Sequence, residues 1–243
     1  MRVGVYVDGF NLYFGARDHC GRDTGGWRWL DVRGLVNDAL PSAWTGVGAS
    51  VDRVVYCTAR VSGIDDPSSP VDQDAYLRAL KRSGSVDHIE YGGFVRRVKT
   101  APLVTWNAKG GSRLVTSGWP VMIKDTAGVA VPDARFLVSY LHREEKGSDV
   151  NVGTHLLLDV LGGVVDAAVV VSNDSDLELP IRAARERVPV GVINPGVKYL
   201  AGKLKDSPSV GVGNHWWSKL TAAAYRAHQL PDPVGRTAKP HGW

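Results

Sequence analysis

The sequence predicts an α/β fold with a central parallel sheet covered by helices on both faces, and three observations carry that expectation. Short β-branched apolar runs recur along the 243 residues, stretches with helical spacing lie between them, and two of the runs end directly in acidic residues. Runs that are apolar throughout suit strands buried on both faces, and strands alternating with helices suit a parallel sheet. The first run, Val3-Gly-Val-Tyr-Val7, leads into Asp8-Gly9. The second, residues 51–58, leads into a Pro- and Ser-containing loop over 65–70. Ala75, Leu77 and Leu80 then fall at helical spacing, as do Val152, Leu156, Leu157 and Val160 further on. Ala167-Ala-Val-Val-Val171 ends in Ser172-Asn-Asp-Ser-Asp176. Ile181, Ala184 and Val188 mark a third helix, followed by a short run over 188–193 that ends in Asn194-Pro-Gly196. Ligands of such sheets bind outside the carboxyl ends of the strands, so acidic strand ends are the first functional clue.

Residues 94–124 break the alternation. They are rich in Gly, Thr, Val and Trp, with turn signals at Lys109-Gly-Gly-Ser112 and Ser117-Gly118, and read as a β-rich insertion or extended arm. The expected organisation is one domain over 1–229 carrying this insertion. Residues 230–243, with three prolines and two glycines, form a tail or strap.

Composition bounds the function. A 44% hydrophobic chain of this length can bury a sizeable core, and a net charge of +4 permits a phosphate-rich partner without demanding one. Two cysteines, Cys20 and Cys57, supply neither a disulfide framework nor a Cys-based zinc site. The apolar run before Asp8 is too short for a signal peptide or a membrane span, so a cytoplasmic protein without a membrane partner is expected.

Asp8, Asp149, Asp174 and Asp176 are the candidate metal ligands and catalytic groups. Asp8 closes the first strand, Asp174 and Asp176 follow the Val-rich one, and Asp149 opens an apolar-periodic helix after Lys146-Gly-Ser148. An aspartate at a helix start more often caps the helix or meets its dipole, and that reading applies to Asp149 and Asp174 taken singly. Several at the carboxyl edge of one sheet are a different matter. Clustered carboxylates raise each other's pKa values unless a cation neutralises them, and oxygen-only donors select Mg2+ or Mn2+ over zinc. Such an ion orients and acidifies a water, so phosphodiester hydrolysis is the natural chemistry.

Asp8-Gly-Phe-Asn-Leu12, Lys146-Gly-Ser-Asp149 and Ser172-Asn-Asp-Ser-Asp176 occur in the order and setting of the NYN domain. The chain resembles that domain of the PIN-like nuclease superfamily over roughly residues 1–200, with the closer likeness to its bacterial LabA/DUF88-type branch. The resemblance implies a three-layer PIN-like (Rossmann-like) fold, an Mg2+ or Mn2+ site on the four aspartates, endoribonuclease activity, and Asn11 and Ser172 as hydrogen-bonding support. Asn173 stands where the family usually has Gly, and Leu177 where an aromatic is common; neither departure removes a carboxylate. Asp176 is either a direct ligand or the holder of a metal-bound water.

The arm supplies the expected RNA partner. Arg96, Arg97, Lys99, Lys109, Arg113 and Lys124 lie in it with no acidic residue, interleaved with Phe94, Trp106 and Trp119. Cations that pair with phosphates beside rings on which bases stack suit single-stranded or looped RNA. The alternative is a solvated arm whose tryptophans pack on the main sheet. Lys146 either reaches the scissile phosphate or is a surface lysine. His142, His155 and His215 have no metal-ligand spacing along one element and read as structural. An aspartyl-phosphate phosphatase would need a second Asp two residues after Asp8, where Phe10 stands, and no P-loop follows any strand. The remaining alternative is a weakly catalytic RNA-binding or protein-interaction regulator of the same fold. The sequence leaves oligomeric state open; a homodimer would lengthen the binding groove.

Overall fold

The computed structural model describes residues 1–63, 67–107, 110–205 and 207–243. Lys109, expected in the basic arm, and Asp65-Asp66 of the polar loop lie outside the described residues. The chain divides into two units, one of Met1–Phe94 with Glu145–Trp243 and one of Val95–Glu144.

In chain order the first part forms β1 (Arg2–Asp8), α1 (Gly9–Cys20), α2 (Val32–Ala39), α3 (Ser42–Thr45), β2 (Ser50–Ala59) and α4 (Ser69–Arg82). β3 (His88–Pro102), β4 (Val104–Trp106), β5 (Ser112–Leu114) and β6 (Leu137–Lys146) follow. The rest comprises α5 (Ser148–Leu161), β7 (Ala167–Val171), α6 (Glu178–Arg185), β8 (Val190–Asn194), β9 (Trp216–Lys219) and α7 (Ala222–Ala227), with short 3-10 turns at Ser175–Leu177 and Gly202–Leu204. The main sheet has the order β6-β3-β2-β1-β7-β8-β9, and the pairings from β3 to β9 are parallel.

This is a three-layer α/β arrangement, and the side-chain alternation of the strands explains it. Val3, Val5 and Val7 of β1 enter a core with Leu12 of α1, Leu35 of α2, Leu77 and Leu80 of α4 and Tyr225 of α7. Tyr6, with Val55 and Cys57 of β2, enters the opposite core with Val152 and Leu156 of α5 and Ile181 of α6. β1, β7 and β8 are buried on both faces, which is why each reads as a continuous apolar run.

Trp216 and Trp217 belong to the edge strand β9. Gly191 on β8 makes room for this strand: a Cβ there would stand 2.3 Å from the Trp216 ring. Residues 230–243 form neither helix nor strand. Leu230 and Val234 are nonetheless buried, and Trp243 packs its ring against Trp29 and Tyr76, with centroids 6.4 and 5.9 Å apart.

The second unit contains the antiparallel pair β4–β5 and the isolated bridges Thr116↔Arg135 and Lys124↔Ala130. It carries eight Lys or Arg against three Asp or Glu, a net charge of +5, while the whole chain has +4. No helix among the described residues is long and apolar enough to cross a membrane.

Candidate active site

The parallel pairing of β1 with β7 sets Val7 beside Val171 and brings the loops after both strands together. Asp8 ends β1 and caps α1, its Oδ1 accepting from the Asn11 amide at 3.0 Å. Its Oδ2 accepts from the Ser172 hydroxyl at 3.2 Å. Ser172 Oγ in turn accepts from the Asp174 amide at 3.1 Å, and Asn11 Oδ1 from the Asn173 amide at 3.1 Å. Asn11 and Ser172 thus lock the two strand ends to each other. Asn173 reaches further, donating to Tyr199 O at 3.1 Å and accepting from the Ala201 amide at 2.7 Å. A glycine could tie down neither group.

A cavity of about 360 Å³ opens over this junction, lined among others by Asp8, Asn11, Asp149, Asp174, Phe10 and Phe14. Three of the four expected aspartates therefore share one wall. Asp176 is exposed and outside the lining, and its amide donates to Asp174 Oδ1 at 2.9 Å. Lys146 is exposed and also outside the lining. Its neighbour Glu145 lines the cavity and accepts from the Ser148 amide and hydroxyl at 3.2 and 2.6 Å. Arg96, Arg97, Lys99, Trp106 and Arg113 belong to the second unit. Within that unit Arg97 and Lys99 approach Glu144 at 4.0 and 3.9 Å, and Trp106 is 79% exposed.

The electrostatics follow from burial. Asp8 is 3% exposed, and its desolvation pushes the carboxyl up to about 7, opposed by the Asn11 amide and reinforced by the charge on Asp149. Asp149 is raised for the same first reason, then by Asp174 and Glu145. Among the described residues five carboxylates, on Asp8, Asp18, Glu145, Asp149 and Asp174, line the cavity, with Lys198 as the one lysine or arginine beside them. Such a wall concentrates cations. The oxygen-only donor set and the mutual repulsion of its carboxylates fit a divalent cation, which would relieve that repulsion.

The sequence reading missed a further part of the lining. Phe10, Phe14 and Asp18 recur at i, i+4 and i+8 on α1, so one face of this helix lines the cavity. Phe14 is 45% exposed; Phe10 packs on it at 6.3 Å and meets Phe94 edge-on at 5.7 Å. Gly15 on that helix is fixed by contact, since a Cβ would lie 2.4 Å from Pro195 O.

A second cluster also escaped the sequence reading. His88 and Glu90, two apart on β3, project toward α5, where His155 meets them. The nearest ring nitrogens of His88 and His155 donate to the same oxygen, Glu90 Oε2, at 2.9 and 3.1 Å. These hydrogen bonds, His88 first, hold the Glu90 carboxyl below its ordinary range. His155 is thus part of a polar cluster rather than a packing residue. His215 keeps its structural role, its Nδ1 accepting from the Val190 amide at 3.0 Å.

No family model matches the chain. A 6-hydroxy-3-succinoylpyridine 3-monooxygenase from Pseudomonas putida is 26% identical over an alignment covering all of this chain and 75% of that protein. A solved structure of a protein of unknown function from Vibrio parahaemolyticus superposes over 90% of this chain and 92% of its own, with a TM-score of 0.44 and 15% identity. The monooxygenase corrects the expectation of a metal-dependent endoribonuclease. The named relative that spans the whole chain is an oxidoreductase, not a hydrolase of RNA. The physical reason for the error is that carboxylates gathered at a sheet edge do not specify which bond is broken or made.

Proposed function

We propose that this chain is an oxidoreductase that hydroxylates a small aromatic or heteroaromatic acid held in the Asp8 cavity. The observation that carries the reading is the pairing of an acidic wall with a phenylalanine wall in a space of about 360 Å³, which is within the size range of small-molecule sites. The monooxygenase relative supplies the reaction class. Phe10 and Phe14 would pack against the ring, and Lys198 would meet the acid arm. Asp8, Asp149 and Asp174 would hold a divalent cation of the Mg2+ or Mn2+ kind, and that ion supplies charge to bridge an anionic substrate to an otherwise repelling wall. Hydroxylation places one atom of O2 in the product and releases the other as water. The two electrons come from an external donor such as a reduced nicotinamide. The PIN-like assignment belongs to the same proposal. It is supported by the order of the three acidic motifs, and a fold used by nucleases carries other chemistry when its site differs.

The test is incubation of the chain with 18O2, reduced nicotinamide, Mn2+ and a hydroxypyridine bearing a succinoyl arm, followed by mass spectrometry of the product. One 18O per product is expected, with Asp149→Asn slowing turnover by about 100-fold, the scale of losing one preorganised electrostatic contact. Phe10→Ala should act chiefly on KM. Absence of 18O across a panel of hydroxypyridine and hydroxybenzoate acids overturns the reaction class. Turnover by Asp8→Asn and Asp149→Asn as fast as wild type overturns the pocket assignment.

A further inference from the structure

The cluster formed by β3 and α5 carries a separate inference. β3 runs parallel to β2 with His88 opposite Val55 and Glu90 opposite Cys57. Val55 and Cys57 turn their side chains into the core under α5, so the same pleat aims His88 and Glu90 at that helix. His155, on the second turn of α5, closes the set. The two imidazoles lie with centroids 5.2 Å apart and planes at 52°, and one ligand atom from each of the three side chains lies within 4.8 Å of the others. His155, Glu90 and His88 side chains are 19%, 38% and 44% exposed, so an ion has an entry path from solvent.

We propose that His88, Glu90 and His155 form a binding site for one divalent transition-metal ion of the zinc or ferrous class. Two imidazole nitrogens and one carboxylate oxygen are a donor set suited to such ions, in contrast to the oxygen-only wall of the Asp8 cavity. Both rings already converge on a single carboxylate oxygen. An ion bound at about 2.0–2.2 Å from each donor would replace these hydrogen bonds with ligation, with only small movements of half-exposed side chains. Three protein ligands leave coordination positions open to a small molecule, which is the pattern of reactive rather than purely structural sites. The three ligand residues share no member with the lining of the Asp8 cavity.

The experiment is a titration of the full chain, stripped with chelator, with Co2+ as the spectroscopic probe and Zn2+ as competitor. One equivalent of Co2+ should give visible absorption bands that Zn2+ displaces. His88→Ala and His155→Ala should each weaken binding by at least the roughly 10- to 100-fold seen when groups outside the ligand set are lost. His88→Gln, at the most exposed of the three positions, keeps the test readable if His155→Ala fails to fold. Asp8→Asn and Asp149→Asn should leave the cobalt spectrum unchanged, which separates this site from the cavity. The proposal is overturned if wild type shows no cobalt bands at millimolar Co2+. It is equally overturned if the His88→Ala/His155→Ala double variant binds Co2+ as wild type does.

Discussion

Two polar clusters on one sheet, both served by α5, settle their charge in opposite ways. Asp149 in the first turn of α5 faces Asp8 and Asp174, where like charges crowd around the buried Asp8. His155, six residues further along the same helix, meets Glu90 and His88, where two donors satisfy one carboxylate at the surface. The first arrangement is relieved when a proton or a cation offsets one of its charges. The second is satisfied by its own hydrogen bonds, and an ion there exchanges one set of good contacts for another. A carboxylate's surroundings, more than its presence, therefore decide whether a site asks for a counter-charge.

The largest test of this contrast is Asp8→Asn, studied in chelator. Asparagine keeps the cap on α1 but cannot ionise. Asp8 has a folded-state pKa raised to about 7, above its unfolded value, so its protonated form favours folding at low pH and that support is lost as pH rises through 7. The variant should therefore be more stable than wild type by about 2–4 kcal/mol at pH 8, with the gain vanishing toward pH 4. Denaturant unfolding at the two pH values measures it, and a gain of equal size at both would break the electrostatic account. Metal binding at the cavity should show the matching trend, with Mn2+ affinity falling below pH 7 as Asp8 takes up a proton.

A smaller effect is expected at Asn173→Gly. It removes the two side-chain bonds to Tyr199 and Ala201 and should cost about 1–2 kcal/mol at any pH between 5 and 8. Thermal unfolding of the variant checks this. A neutral result would mean the loop is held by its other contacts. Smallest of all is Glu90→Gln. Glu90 is 38% exposed and its partners are at the surface, so the stability change should stay below about 1 kcal/mol. A loss above about 2 kcal/mol would contradict the picture of a self-satisfied surface cluster.

Much of the fold was legible because its central strands are buried on both faces and their composition announces it. β9 was not. Its residues alternate between half-buried and exposed, and Trp216-Trp217 signals packing without saying in which element. The acidic wall was legible in part, since strand ends concentrate ligands, although Glu145 and Asp18 passed unremarked among other charges. The phenylalanine wall was written as an i, i+4, i+8 face of α1 and was passed over beside the aspartates. His88-x-Glu90 on a strand is a visible pair, but its third member lies 65 residues away from Glu90 on a helix, and only the packing of α5 on the sheet unites them. The reaction class was not legible, because carboxylates that hold a cation serve hydrolysis and oxidation alike.

The hydrogen bond from Ser172 to Asp8 also has a place in time. The two residues are 164 positions apart, while β1 finds its other neighbour, β2, beginning at Ser50. At synthesis rates of about 5–20 residues per second, Asp8 leaves the ribosome roughly 8–33 seconds before Ser172. During that interval the nascent chain can pair β1 with β2 but has nothing to place along its other side. The edge later covered by β7 is open then, and the residues of the acidic wall have not yet met.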